Sequence, residues 1–306
     1  MASGTIVAPM HCLSVDVEEH FQVTAFESPM RRRHWDQFES RVRSNTDRVL
    51  ELFARHGIKA TFFVLGWVAE RTPRVVQAII KEGHEVASHG FGHELITAQT
   101  TKQFRQDVRK TKGLLEDLTG QPVFGYRAPS FSINAETIWA LSILAEEGYQ
   151  YDSSMFPSQH GPNGACYHNP KVHRVETDRG GLWEVPPSTA TVGWVRVPVA
   201  GGGYLRQFPF RLYSWLLDRA ARQGHPLVMY LHPWELDPEQ PRMAGSWVSR
   251  LRHYRNLART ETRLARILER YRFGTIRDVL FGGEGGFRLE LRRRMPSEQL
   301  VTKEVA

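Results

Sequence analysis

The chain has 306 residues, 41% hydrophobic and 24% charged, with a formal net charge of +7 and a pI near 9.6. This composition suits a globular protein of one large α/β domain or two small ones, and it excludes a chain too polar to build a core. No apolar run approaches the roughly 18 residues of a membrane-spanning helix, and two cysteines without Cys-x-x-Cys spacing, Cys12 and Cys166, indicate neither a disulfide framework nor a thiolate zinc site.

The opening stretch MASGTIVAPMHCLSVDVEEH has neither a basic nor a sustained apolar leader, so the expectation is an unprocessed cytoplasmic protein, with a membrane-peripheral position left open. Seven apolar, β-branched runs follow one another along the chain: HCLSVD, KATFFVLG, HEVASH, VFGYRAP, YQYDSS, LWEVPPST and PLVMYLH. Helical segments separate most of them and end at Gly57, Gly83, Gly120, Gly148 and Gly224, where a left-handed residue closes a helix. Ser44 or Asn45, Thr72 with Pro73, and Asn134 are the expected helix starts.

Strand and helix in alternation predict parallel strands joined by helical crossovers, and seven strands suit a distorted (β/α)7 TIM-like barrel, α/β in class. Residues 157–181, rich in Gly, Pro, Asn and His, read as a long irregular insertion that would form a lid or groove wall. Residues 197–209, with Gly201, Gly202 and Gly203, read as a second irregular stretch where backbone could approach a ligand.

Much of the positive charge lies between Arg250 and Arg294. There the run RHYRNLARTETRLARILERYRF predicts one helix with Tyr254, Leu257, Leu264, Ile267, Leu268 and Tyr271 as its buried stripe. A solvated basic face is the reading preferred over a nucleic-acid surface, with attraction to an anionic glycan or a lipid phosphate left open. From about Gly282 the periodicity is lost, which predicts a disordered tail over 282–306 behind a single barrel of residues 1–281 whose helical extension starts near 233.

Chemistry-bearing residues cluster where strands end. Asp16 and Glu18 close the first strand, and alternation turns both carboxylates to one side. After the third comes Ser88-His89-Gly90-Phe91-Gly92-His93, whose His-x-x-x-His pair can aim two imidazoles at one metal; with a carboxylate this is the ligand set of a catalytic site that keeps an open position. Tyr126-Arg127-Ala128-Pro129 and Tyr230-Leu231-His232-Pro233-Trp234-Glu235 follow two further strands. Taken singly, each cluster is as readily a surface or packing feature. Jointly, Asp16, His89, Arg127, Asp152 and His232 all fall at carboxyl ends of predicted parallel strands, where barrels assemble active sites.

Asp-x-Glu, Ser-His-Gly-x-x-His, Arg-x-Pro and Leu-His, in this order over residues 11–280, resemble the motifs of the NodB-like polysaccharide deacetylases, carbohydrate esterase family four. SVDVEEHFQV, GYRAPSFSI, GYQYDSSMFP and YLHPWELDPEQPR more closely resemble the branch associated with exopolysaccharide and exosortase gene clusters, in which a C-terminal extension accompanies the barrel. The resemblance implies a metal-dependent hydrolase that removes N-acetyl groups from amino sugars of a polysaccharide or its precursor, a lipid-linked oligosaccharide included. It implies Asp16 as general base, His89 and His93 as metal ligands, Arg127 as the residue orienting Asp16, and His232 as general acid, with zinc the expected ion.

Two departures stand out. Val17 occupies the place of the family's usual second aspartate, leaving Glu18 as the substitute ligand, and the usual aspartate-tryptophan motif is replaced by Asp152-Ser153-Ser154. Pro129, Asp152, Tyr204 and Trp234 are candidate substrate-binding residues, and Phe91, Trp183 and Trp194 are further aromatic rings able to stack on sugars or pack in a core. The rival readings are a metal-independent amidohydrolase of cyclic amides or ureides on the same fold, and a non-catalytic glycan-binding or assembly protein. No nucleic acid is expected as partner, and the sequence leaves the oligomeric state open.

Overall fold

A computed structural model describes residues 10–26, 32–157 and 169–282. The expected tail, Cys166 and the middle of the expected 157–181 insertion lie outside the described residues.

Seven parallel strands form the frame. They are β1 (His11–Val17), β2 (Thr61–Val64), β3 (Glu85–Ser88), β4 (Gly125–Tyr126), β5 (Tyr151–Asp152), β7 (Gly180–Glu184) and β10 (Val228–Leu231), one within each expected run except that β1 ends one residue late and β7 begins two residues early. The hydrogen-bonded order is β10-β1-β2-β3-β4-β5-β7, with β6 (His173–Thr177) antiparallel on the outside of β7. Ser188, just beyond β7, closes the ring: its N–H donates to the Val228 carbonyl at 3.1 Å and its Oγ accepts the Val228 N–H at 2.8 Å. The parallel ring with helical crossovers is the expected α/β architecture.

Alternation along each strand separates two apolar regions. Leu13, Val15 and Val17 of β1 and Phe62 and Val64 of β2 pack outward against the crossover helices, while Cys12, Phe63, Ala87, Tyr151 and Val228 fill the interior. Gly125 is what admits Tyr151 to that interior, since a Cβ there would lie 2.1 Å from the phenol ring.

The crossovers include α1 (Val42–Arg55), α2 (Gly66–Arg71), α3 (Pro73–Lys81), α4 (Thr101–Thr119) and α5 (Trp139–Glu146). All five glycines read as helix ends have positive φ, from 64° at Gly57 to 79° at Gly148. The helix starts fit less well. α1 begins at Val42, placing Ser44 and Asn45 inside it, because Glu19 accepts the Arg41 N–H and Asp237 the Arg41 guanidinium just ahead of the helix. Thr72 precedes Pro73 without a side-chain bond, and Asn134 forms a turn ahead of α5 instead of capping it.

Both stretches expected to be irregular contain regular structure. Residues 173–184 are the β6–β7 hairpin; β6 is an edge strand with both faces partly wet, so it lacks the apolar alternation that would have revealed it. Residues 189–198 form a second hairpin, β8 (Thr189–Val192) with β9 (Val195–Pro198), and the glycine run opens α6 (Gly202–Gln207), followed by α7 (Phe210–Ala221). The expected single basic helix is divided into α8 (Trp247–Tyr254) and α9 (Thr260–Arg270), because Asn256 takes a left-handed conformation at φ 58°. Leu257, Leu264, Ile267 and Leu268 are buried as the stripe required, while Tyr254 and Tyr271 stay half-buried. The short β11 (Phe273–Gly274) pairs with the start of β1, and α10 (Ile276–Phe281) packs on β1.

Candidate active site

The inward row of β1 continues from Cys12 through Ser14 to Asp16, which is 2% exposed at the carboxyl end of the ring. Arg127, the first residue past β4, enters the same space with no exposure at all. Its guanidinium donates to Asp16 Oδ1 at 2.6 Å, Ser14 Oγ at 2.9 Å, Ser153 Oγ at 2.8 Å and the Ser153 carbonyl at 3.1 Å, and it lies 4.1 Å over the Phe63 ring. A buried guanidinium held by this many fixed acceptors leaves Asp16 little freedom to turn.

Glu18 follows the end of β1 on the same side as Asp16, while Val17 points into the core. Opposite it, the chain leaves β3 in a tight loop in which Gly90 has φ 71° and His93 φ 51°. Several bonds hold this loop. The Gly90 and Phe91 carbonyls accept from Gly66 and Trp67, and Asp107 of α4 accepts the Phe91 N–H at 3.0 Å on both oxygens. Burial pushes the Asp107 carboxyl up to about 6.

Glu18, His89 and His93, all buried, bring one potential ligand atom each to within 4.8 Å of one another. His93 Nε2 lies 2.9 Å from Glu18 Oε2. His89 Nδ1 donates to the Arg127 carbonyl at 2.8 Å, which leaves Nε2 with the lone pair facing the group. Burial lowers the His89 pKa to about 4, the neutral form a ligand needs. Burial alone would raise the Glu18 carboxyl, but His93 and His232 prevail and hold it near 2. One anionic oxygen and two imidazoles match the ligand set of a divalent ion with open positions.

On the other flank stands His232, its side chain 20% exposed, with Nε2 3.5 Å from Glu18 Oε1. Pro233 opens a single 3-10 turn that returns Glu235 to His232, whose Nδ1 donates to Glu235 Oε1 at 2.7 Å. The second oxygen of Glu235 accepts from Arg206 Nε of α6 at 2.8 Å; Glu235 and Arg206 are 1% and 2% exposed. Arg206 also donates to the His253 and Arg255 carbonyls, at 2.8 and 3.1 Å. Burial opposes charge on both members of the His232–Glu235 pair. Arg206 and His232 nonetheless hold Glu235 near 2, and Glu18 and Glu235 raise His232 above its ordinary value.

The structure therefore brings Asp16, Glu18, His89, His93, Arg127 and His232 to one end of the ring. The substrate-binding candidates are placed differently. Trp234 is 5% exposed, with the His232 ring stacked against it at 5.0 Å and the His253 ring at 4.2 Å, so it is packed and not open to a sugar; its Nε1–H donates to Glu18 Oε1 at 3.3 Å. Asp152 is wholly buried beside Glu184, its partner across the β5–β7 ladder, and accepts from Ser154 at 2.5 Å. Burial pushes Asp152 up to about 6 and, together with Asp152 itself, raises Glu184 well above the carboxylate range. Pro129 is buried at the start of a turn, and Tyr204 is half-buried on α6, stacked on Phe208.

Glu235, Arg206, Ser14, Ser153 and Asp107 were not read from the sequence. A His-x-x-Glu spacing with Pro at the first turn position was the available signal for Glu235; the others are long-range partners with no local mark.

Residues 32–151 match the family model described as polysaccharide deacetylase, and residues 153–281 match a domain of unknown function, DUF3473. The boundary falls inside the ring, with β2 to β5 on one side and β7 and β10 on the other, and Asp16 and Glu18 precede both matches. A peptidoglycan deacetylase of Helicobacter pylori is 34% identical over 115 residues, which is 38% of this chain and 38% of that protein. A peptidoglycan-N-acetylglucosamine deacetylase of Listeria monocytogenes is 37% identical over 93 residues, 30% of this chain and 20% of that protein. The chain thus spans well under half the length of these relatives. In fold it is similar to a Mycobacterium smegmatis protein, itself provisionally assigned to the polysaccharide deacetylases, with a TM-score of 0.61 at 18% identity over 100% of this chain and 98% of the other.

Proposed function

From a chain whose residues 32–151 match the polysaccharide deacetylase model and whose residues 153–281 match DUF3473, we propose an N-deacetylase that hydrolyses the acetamide of an amino sugar within a glycan. The observation that carries this reading is the convergence of a buried carboxylate–arginine pair, a two-histidine, one-carboxylate group and a carboxylate-backed histidine on one end of the ring. Glu18, His89 and His93 would hold a divalent ion, zinc being the best suited to this donor set. Such an ion supplies Lewis-acid polarisation of the amide carbonyl and acidifies water.

The chain's own groups do the proton work. Asp16, aimed by Arg127, which Ser14 in turn anchors, takes the proton of the attacking water. His232 gives its Nε2 proton to the departing amine, and Glu235 on Nδ1 fixes the ring's orientation and favours the imidazolium that does so. The glycan is proposed to be a polysaccharide or its lipid-linked precursor, which the sequence likeness to the exopolysaccharide-associated branch supports, and the protein is proposed to act in the cytoplasm.

Metal content and acetate release test the reading. The purified protein should carry about one divalent ion per chain, lost in His89→Ala/His93→Ala, and should release acetate from N-acetylated oligosaccharides. Asp16→Asn should keep the metal and the fold while losing at least about a thousandfold in turnover. Full activity in Asp16→Asn would remove the assigned base, and a wild type that takes up no metal even with added zinc would favour the amidohydrolase or the binding protein.

A further inference from the structure

Helix α8 turns an apolar stripe to solvent: Trp247 is 75% exposed, Leu251 49% and Val248 38%. At 3.6 residues per turn these three share an arc of about 100°, and buried His253 lies on the opposite side. Arg250 and Arg252, both exposed, border the arc on its two edges. From Arg242 to Arg259 the chain has five arginines, at 242, 250, 252, 255 and 259, and no acidic residue. Among the described residues no carboxylate forms an ion pair with any of these five.

A single exposed tryptophan on a protein surface is ordinary. A stripe of tryptophan, leucine and valine on one helix, with arginines along both edges, is the pattern of a helix lying in a lipid interface. Its rings and aliphatic groups enter the headgroup boundary while the guanidinium groups reach phosphate. A protein partner would also cover apolar surface, but five arginines without a carboxylate among them match a sheet of phosphates better than a mixed surface. We propose that α8 and its arginine border seat this protein on an anionic lipid surface.

The placement links this surface to the reaction. His253, on the inner side of α8, stacks at 4.2 Å on Trp234, which stacks on His232. A membrane under α8 would therefore lie close beside the end of the ring where Asp16 and His232 meet, within reach of a glycan anchored in the same leaflet. That last consequence rests on the deacetylase reading; lipid binding itself does not.

The experiment is co-sedimentation of the full chain with phosphatidylcholine vesicles and with phosphatidylcholine containing one third phosphatidylglycerol. The expected result is pelleting with the anionic vesicles only, weakened by salt. Trp247→Ser/Leu251→Ser and Arg250→Gln/Arg252→Gln should each lower the partition coefficient by about tenfold or more. Melting curves like the wild type's would show that both variants fold. Trp194→Ser, which removes the 92% exposed tryptophan of the β8–β9 turn, should leave binding unchanged.

Absence of binding to either vesicle overturns the proposal, as does binding lost in Trp194→Ser but retained in the α8 variants. A dimer in sedimentation velocity that Trp247→Ser/Leu251→Ser dissociates would identify the stripe as a contact between copies and overturn it too. Acetate release from a soluble oligosaccharide should be unchanged in Trp247→Ser/Leu251→Ser, so loss of lipid binding and failure of the deacetylase reading are separate results.

Discussion

Glu235→Gln isolates the part of the site proposed to hand over the proton. Glu235 is buried, bonded to His232 Nδ1 at 2.7 Å through one oxygen and to Arg206 at 2.8 Å through the other. Removing the negative charge takes away one of the three carboxylates, Glu18, Glu235 and Asp16, that raise His232 against the effect of burial. A hydrogen bond to a charged group contributes about 1.5–3 kcal/mol, and about 1.4 kcal/mol corresponds to one pKa unit. His232 should therefore titrate at least about one unit lower. The sign follows from the role: the acid works while protonated, and activity falls as pH rises through its pKa. The basic limb of kcat/KM against pH should thus move down by about one to two units, with the rate on that limb falling some 10- to 100-fold.

The same substitution leaves Arg206 buried without its anion, which should cost about 3–5 kcal/mol of stability. Arg206→Met/Glu235→Gln separates the two effects, since it should recover much of the melting temperature and none of the pH limb. A basic limb in Glu235→Gln that coincides with the wild type's would refute the role given to Glu235. So would a double variant that restores both stability and pH profile.

Two further substitutions probe the metal group. Asp107→Ala removes the acceptor of the Phe91 N–H and loosens the loop that carries His93 at φ 51°; metal affinity should fall about 10- to 100-fold with little change in metal-saturated kcat, and affinity equal to the wild type's by competition with a chelator would count against it. Val17→Asp, which would supply the adjacent aspartates usual among the polysaccharide deacetylases, should not rescue a Glu18→Ala variant, because residue 17 points into the core. It should instead lower stability by several kcal/mol as an unpaired buried carboxylate, and recovered metal binding in Val17→Asp/Glu18→Ala would show that the strand can turn that residue to the site.

Local regularities in the sequence determined the frame. Short apolar, β-branched runs marked the seven parallel strands, and glycines able to adopt positive φ marked where five helices stop. Since residues at parallel strand ends meet in a closed ring, the order of motifs was enough to place Asp16, Glu18, His89, His93, Arg127 and His232 together. The period of two also identified Glu18 in place of Val17 as the carboxylate facing the histidines. Edge strand β6 and the break at Asn256 escaped because neither has an apolar periodicity or a glycine to reveal it.

Tertiary structure alone decided what surrounds each of these side chains. Arg206 reaches Glu235 from a different helix, Asp107 reaches the histidine loop from α4, and Ser14 in β1 and Ser153 just past β5 both meet Arg127. Trp234 had the composition of a sugar platform, yet it is buried with His232 and His253 stacked against it. The physical reason is range. Strand alternation and helix ends depend on neighbours a few residues away, whereas hydrogen-bond partners and stacked rings depend on which distant segments the closed ring brings into contact.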